Sequence, residues 1–247
     1  MTENSTDLAL LTSSRGDQHT VYWSQAARQA PPFLSAPAVL IQGLYERETE
    51  MARKILRERI YTNAPMNEAL RGLVKVCAKR IDVDVPKDVL QTRLSQDAIR
   101  IDPPPLPEIA EPGPGSPMAQ ARWLAQSVAR GKAPLYASDR PIGAVLVSQQ
   151  GELLAYGANT NARNRSCHAE MNLLRTLYAR TGKPIPAGST LYVTLKPCRM
   201  CAGMIWDFCE DARTIRVLYD ENDPGPHAQR TALDLSPVPI QELYSAK

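Results

Sequence analysis

Apolar positions recur with a helical period first over residues 44–61, where Leu44, Met51, Ile55, Leu56 and Ile60 supply the apolar set. Glu46, Glu48 and Glu50 stand early in that run and Arg53 to Arg59 late, an order that complements the helix dipole. A second helix is predicted over 65–80 on Leu70, Leu73, Val74, Val76 and Cys77. A third should open at Asp84-Val85-Pro86, a cap followed by an early-turn proline, and run to about Arg100. Ahead of Leu44 the chain mixes polar residues with Tyr22, Trp23, Phe33 and Pro31-Pro32, and no element is assigned there. Residues 1–101 are therefore expected to be a small, mainly α-helical domain that needs a neighbour to complete its core.

Residues 102–117 break the pattern with seven prolines and two glycines in 16 residues. Proline fixes φ and removes a backbone donor, so an extended linker is predicted, either flexing or packed along the surface. Beyond it, residues 118–247 change rhythm. Helix 118–130 is followed by strands 141–148 and 152–156, which Gln149-Gln150-Gly151 joins as a hairpin. Helix 168–181, strand 190–194, helix 198–209 and strand 214–219 then alternate, so these later strands should lie parallel. A short helix over 230–235 and a fifth strand over 238–243 close the order. The expected fold class is α/β, a three-layer α/β/α sandwich on a mixed five-stranded sheet.

Composition narrows this picture. No apolar run approaches the roughly 18 residues needed to cross a bilayer, and the N-terminus lacks the features of a signal peptide. Residues 1–112 carry 14 Lys or Arg against 15 Asp or Glu, and residues 113–247 carry 15 against 11. That excess of four admits phosphate-bearing substrates but implies only a shallow salt dependence if nucleic acid binds.

The chemistry concentrates in two short motifs. His168-Ala169-Glu170 is followed, 27 residues after Glu170, by Pro197-Cys198-Arg199-Met200-Cys201. One imidazole and two thiolates can hold Zn2+ tetrahedrally with the fourth position open, as catalytic zinc sites do. Glu170 is read as a proton carrier, not a fourth ligand. Cys198 and Cys201, three apart, fall on one face of a helix's first turn. Cys77, Cys167 and Cys209 are read as buried apolar residues. Unpaired cysteines with thiolate ligands fit a reducing, cytoplasmic setting.

This pair of motifs resembles the signature of the zinc-dependent deaminases, the superfamily of cytidine, guanine and tRNA adenosine deaminases. The resemblance extends to Pro141–Val147 as a first strand, Tyr156–Asn159 as a strand end, Thr190–Leu195 before the Pro-Cys pair, and Ala202–Ile205 after it, covering roughly residues 117–244. It implies a cytidine deaminase-like fold with Glu170 as catalytic acid and base, and His168, Cys198 and Cys201 as zinc ligands. Asn159 and the backbone N–H of Ala169 would contact substrate; a turn-forming role is the other reading of Asn159. Arg163 and Arg165 are either phosphate contacts or solvated charges. Trp206 is read as a core residue before a base-stacking one, and the acidic group Asp220, Glu221 and Asp223 stays unplaced. The expected activity is hydrolytic deamination of a nucleobase, on tRNA or single-stranded nucleic acid, compatible with a homodimer. The alternatives are a free base or nucleotide (guanine or cytosine type), or a non-catalytic binding protein, against which the presence of Glu170 argues. No family resemblance is read in residues 1–101.

Overall fold

Two five-stranded sheets organise the chain, the first built from strands within residues 6–100 and the second from strands within residues 143–242. The computed structural model describes residues 6–129, 140–162, 164–235 and 240–243. Arg130, Arg163 and the start of the predicted last strand lie outside the described residues.

The expectation of a mainly helical N-terminal domain is corrected by the first sheet. Strands β1 (Thr6–Arg15) and β2 (Gln18–Ala27) form a long antiparallel hairpin. β1 also pairs antiparallel with β3 (Arg59–Thr62), while β4 (Arg80–Asp82) and β5 (Ile99–Arg100) add parallel edges. β1 is buried on both faces: Ala9 and Leu11 join the main core, while Leu8 and Leu10 pack with Leu90 of α4 (Lys87–Thr92). A strand covered on both sides shows a continuous apolar run instead of alternation, so its period gives no strand signal.

The helices of this half are also shifted from their predicted places. α1 spans Ala36–Glu48 and is buried over all of Ala36 to Tyr45, so no single stripe marks it. It stops at Thr49, which takes φ 42°, and α2 (Ala52–Ile55) makes only one further turn before β3. α3 (Glu68–Cys77) is amphipathic as expected and is capped by Asn67, whose side chain accepts from Leu70 N at 2.8 Å. α4 is six residues long and ends well before Arg100.

The second half follows its prediction closely. α5 (Pro117–Ala129), β6 (Gly143–Val147), β7 (Leu153–Ala158), α6 (Ala169–Thr181), β8 (Thr190–Leu195), α7 (Arg199–Asp207), β9 (Arg216–Glu221) and β10 (Gln241–Glu242) appear in the expected order. β6 and β7 pair antiparallel, while β8, β9 and β10 lie parallel to one another. α5 covers one sheet face through Met118, Ala121 and Leu124. The main core takes in α6 and α7 together with apolar residues of the N-terminal half.

That shared core joins the halves. α3 lies on α7 so closely that a Cβ on Gly72 would stand 2.2 Å from Arg199 O, and one on Gly203 2.3 Å from Glu68 O. Asp207, at the end of α7, accepts from Ala69 N at 2.7 Å and serves an orphan amide of α3. Phe33 inserts edge-on against Phe208 (centroids 4.9 Å apart) and Tyr178 (6.0 Å). Residues 101–113 have no regular structure, yet the buried Arg175 guanidinium donates to the carbonyls of Pro104 and Pro105, fastening them to α6. Proteolysis within residues 103–117 should therefore yield two fragments that co-elute on gel filtration. Separation into two soluble monomers would contradict the shared core.

Candidate metal centre and active site

Both motifs sit at helix starts. His168 is the N-cap of α6 (ψ 162°) and Cys198 the N-cap of α7 (ψ 171°), each extended and neither capping its helix with its side chain. The two side chains are thereby free to turn toward each other, and Cys201 follows one turn into α7. His168 Nδ1 lies 3.5 Å from both Cys198 Sγ and Cys201 Sγ, and the sulfurs are 3.8 Å apart. Tetrahedral zinc with Zn–S bonds of about 2.3 Å and Zn–N of about 2.05 Å requires sulfurs about 3.8 Å apart and about 3.6 Å from the nitrogen. The three atoms meet that requirement, and they form the one His/Cys/Asp/Glu cluster among the described residues suited to holding a metal ion.

Titration in the cluster is coupled. The hydrogen bond from Cys201 holds the Cys198 thiol well below its ordinary range, while burial pushes Cys201 up. Burial disfavours a charged His168, but the Cys198 thiolate beside it outweighs this and raises the imidazole. A divalent cation between the sulfurs would displace the proton they share. Glu170 is 4% exposed, and burial, then the Cys198 charge, push its carboxyl up to about 7. A cation at the cluster would lower it again.

The remaining cysteines are engaged elsewhere. Cys167 Sγ rests 3.9 Å from the Arg175 guanidinium, Cys77 Sγ 3.6 Å from Met200 Sδ, and Cys209 Sγ donates to Ile205 O. None of them belongs to the three-atom cluster, and among the described residues no fourth protein ligand joins it.

A cavity of about 130 Å³ opens on the cluster, lined by His168, Glu170, Cys198 and Asn159 together with Ile142, Leu195, Asn161, Arg140, Lys196 and Asp223. Of the six residues that the sequence singled out, four line this cavity; Cys201 and Ala169 are fully buried and outside its wall. Asn159 donates to Arg140 O (2.9 Å) and Asn161 Oδ1 (3.1 Å), while its own Oδ1 is buried without a partner among the described residues. An unpaired buried acceptor costs about 1–3 kcal/mol unless something donates to it. Ala169 N–H opens α6 and is among the amides that a helix cannot satisfy itself.

Sequence reasoning missed the apolar walls Ile142 and Leu195, which meet only once β6 and β8 pair. It also left the acidic cluster unplaced. Asp220 accepts a two-point contact from Arg122 (2.6 and 2.7 Å), and Asp223 pairs with Arg140 at 3.4 Å, so two of its charges are matched at the site's edge. Trp206 is half-buried against the core and is not part of the cavity wall.

The loop carrying His168 is held by the N-terminal half. Asn164 donates to Gln42 O (3.0 Å) and Glu46 Oε1 (2.9 Å) on α1, and its Oδ1 accepts from Ser166 Oγ at 2.6 Å. Asn172 then donates to Ala158 O, Thr160 Oγ1 and Cys167 O, tying the same loop to β7.

Residues 133–238 match the model of the Bd3614-like deaminase family. A 120-residue stretch is 34% identical to the tRNA(Ile)-lysidine synthase of Deinococcus radiodurans, covering 48% of this chain and 19% of that protein. The tRNA-specific adenosine deaminase of Agrobacterium fabrum is 39% identical over 85 residues, 34% of this chain and 53% of its own length. The tRNA-specific adenosine deaminase of Bacillus subtilis is 38% identical over 97 residues, 38% of this chain and 57% of its own length. The chain thus spans about a fifth of the synthase and somewhat over half of each deaminase.

Proposed function

We propose, from the premise that residues 133–238 belong to the cytidine deaminase-like superfamily, that the protein is a zinc-dependent hydrolase removing an amino group from a nucleobase in nucleic acid, with release of ammonia. The observation that carries this reading is the spacing of His168 Nδ1, Cys198 Sγ and Cys201 Sγ, which suits tetrahedral zinc with one place left open. Bound there, zinc would supply Lewis acidity and bring the pKa of a water toward neutral.

The chain's own groups supply the rest. Glu170, buried in the cavity wall, takes a proton from the attacking water and passes protons to the ring nitrogen and the departing amine. Asn159 Oδ1 accepts from an N–H of the base, which answers its lack of a partner among the described residues. Ile142 and Leu195 flank the ring and keep it dry. A base enters this recess only when unstacked and unpaired, so an intact duplex is not a substrate.

Two points favour nucleic acid over a free base. The relatives named above act on tRNA by their names. Among the described residues, a cleft of about 590 Å³ also shares Arg140, Ile142 and Leu195 with the cavity, leaving room outside it for the rest of a larger molecule. Ammonia release from tRNA, single-stranded DNA, nucleosides and free bases tests this directly. Release from nucleic acid is expected; activity confined to free guanine or cytosine would transfer the same chemistry to a small molecule.

The metal also contributes stability. At a thousandfold excess over its Kd, a ligand adds about 4 kcal/mol, or roughly 8–16 °C in Tm for a chain of this size. Chelation should lower Tm by that order, and Cys198→Ala should melt low with or without chelator. Equal melting of the wild-type protein in both conditions would count against a bound metal.

A further inference from the structure

A second concave surface lies between the two halves, away from the cavity just described. It encloses about 680 Å³, and its rim carries Arg53, Lys54 and Arg57 from the α2 region, Lys75 and Lys79 at the end of α3, and Arg165 and His227 from deaminase-half loops. Glu50 is its single carboxylate among the described residues. All six Lys and Arg side chains are exposed, and none of them forms an ion pair among the described residues. Elsewhere on this half several cations are matched: Arg59 pairs with Asp82, Arg71 with Glu68 and Arg28 with Asp7. Six unmatched cations facing one groove repel one another, an arrangement that an anion relieves.

Both deaminase-half loops that reach this groove also reach the active-site cavity. Arg165 is three residues before His168, so their Cα atoms are no more than about 11 Å apart. His227 is four residues beyond Asp223, which lines the cavity. The Asn164 contacts to α1 fix the first of these loops against the helix whose Tyr45 also lines the groove.

The geometry points to this groove as a binding track for the phosphate backbone of a single-stranded nucleic acid, leading the strand to the deaminase cavity. The inference rests on the nucleic-acid reading of that cavity and gives the N-terminal half its part in it. Tyr45 is buried with its hydroxyl donating to Cys77 O, so among the described residues the groove offers no exposed Tyr, Trp or Phe ring for a base to stack on. Its Lys and Arg bind phosphates, carrying affinity and no sequence preference. It also shows why the near-neutral balance of the N-terminal half misleads: charges that cancel along the chain are separated in space.

The test is fluorescence anisotropy of a labelled single-stranded RNA with the full chain across a salt series. Each phosphate contact adds about 0.7 to the slope of log K against log salt. The triple variant Lys54→Gln, Lys75→Gln, Lys79→Gln should lower the slope by about 2 and weaken low-salt binding by on the order of tenfold. Ammonia release from a free nucleoside and Tm should stay as in the wild type. The control pair Lys183→Gln, Arg216→Gln, exposed elsewhere, should leave the slope unchanged. An unchanged slope in the triple variant, RNA that fails to bind at low salt, or a poly-glutamate peptide binding there in place of RNA would each overturn the track. Groove-dependent RNA binding without ammonia release from any substrate would leave the track standing and overturn the catalytic reading instead.

Discussion

Glu170→Gln should retain a full complement of zinc and the wild-type Tm while losing on the order of 10²–10⁴ in turnover. The carboxyl is buried in the cavity wall, and glutamine matches its shape, so packing is kept. What disappears is a group that can hold a proton at one moment and release it at the next. Each tenfold loss corresponds to about 1.4 kcal/mol of barrier, so about 3–5 kcal/mol of transition-state stabilisation would rest on this one residue. Single-turnover ammonia release, read beside elemental zinc analysis, separates proton transfer from ligation. Near-wild-type turnover, or zinc lost together with activity, would mean that Glu170 does not have the separate role given to it.

Gly72→Val should be strongly destabilising. The added carbon would stand 2.2 Å from Arg199 O and 2.9 Å from Met200 Cα, and both are backbone atoms that cannot turn aside. α3 and α7 must therefore part. Overpacking of this kind costs about 3 kcal/mol, which for a chain of this size is roughly 6–12 °C in Tm. Because the displaced atoms flank Cys198 and Cys201 in the first turn of α7, zinc affinity should fall too. Thermal melts with and without added zinc would measure both effects. A variant with unchanged Tm and zinc affinity would show that the α3–α7 contact does not hold the metal helix in place.

How far such features are legible in the sequence depends on the kind of signal each one leaves. The cluster of His168, Cys198 and Cys201 with Glu170 is set by residue type and by spacing at two helix starts, and both survive as letters. The second sheet was legible for a similar reason: β6 and β7 read as a hairpin across a Gly turn, and β8 and β9 alternate with helices. The N-terminal half was not. Leu8 to Leu11 are buried from both sides, and α1 is buried all round over its first three turns, so neither shows a polar face. One signal was available and unused, since Gly16-Asp17 joins two β-rich runs, with Gly16 at φ 58° as a tight hairpin requires. The Ile142–Leu195 walls and the six-cation groove leave no local pattern, because their members come from distant elements and meet only in the folded chain.

The open metal centre is tested most directly by zinc-edge X-ray absorption of protein purified without chelator. The account predicts one zinc per chain with two sulfurs at about 2.3 Å and two lighter atoms at about 2.0–2.1 Å, one an imidazole nitrogen and one exchangeable with solvent. A third sulfur, a fourth protein ligand that closes the site, or protein that folds and deaminates without zinc would contradict it.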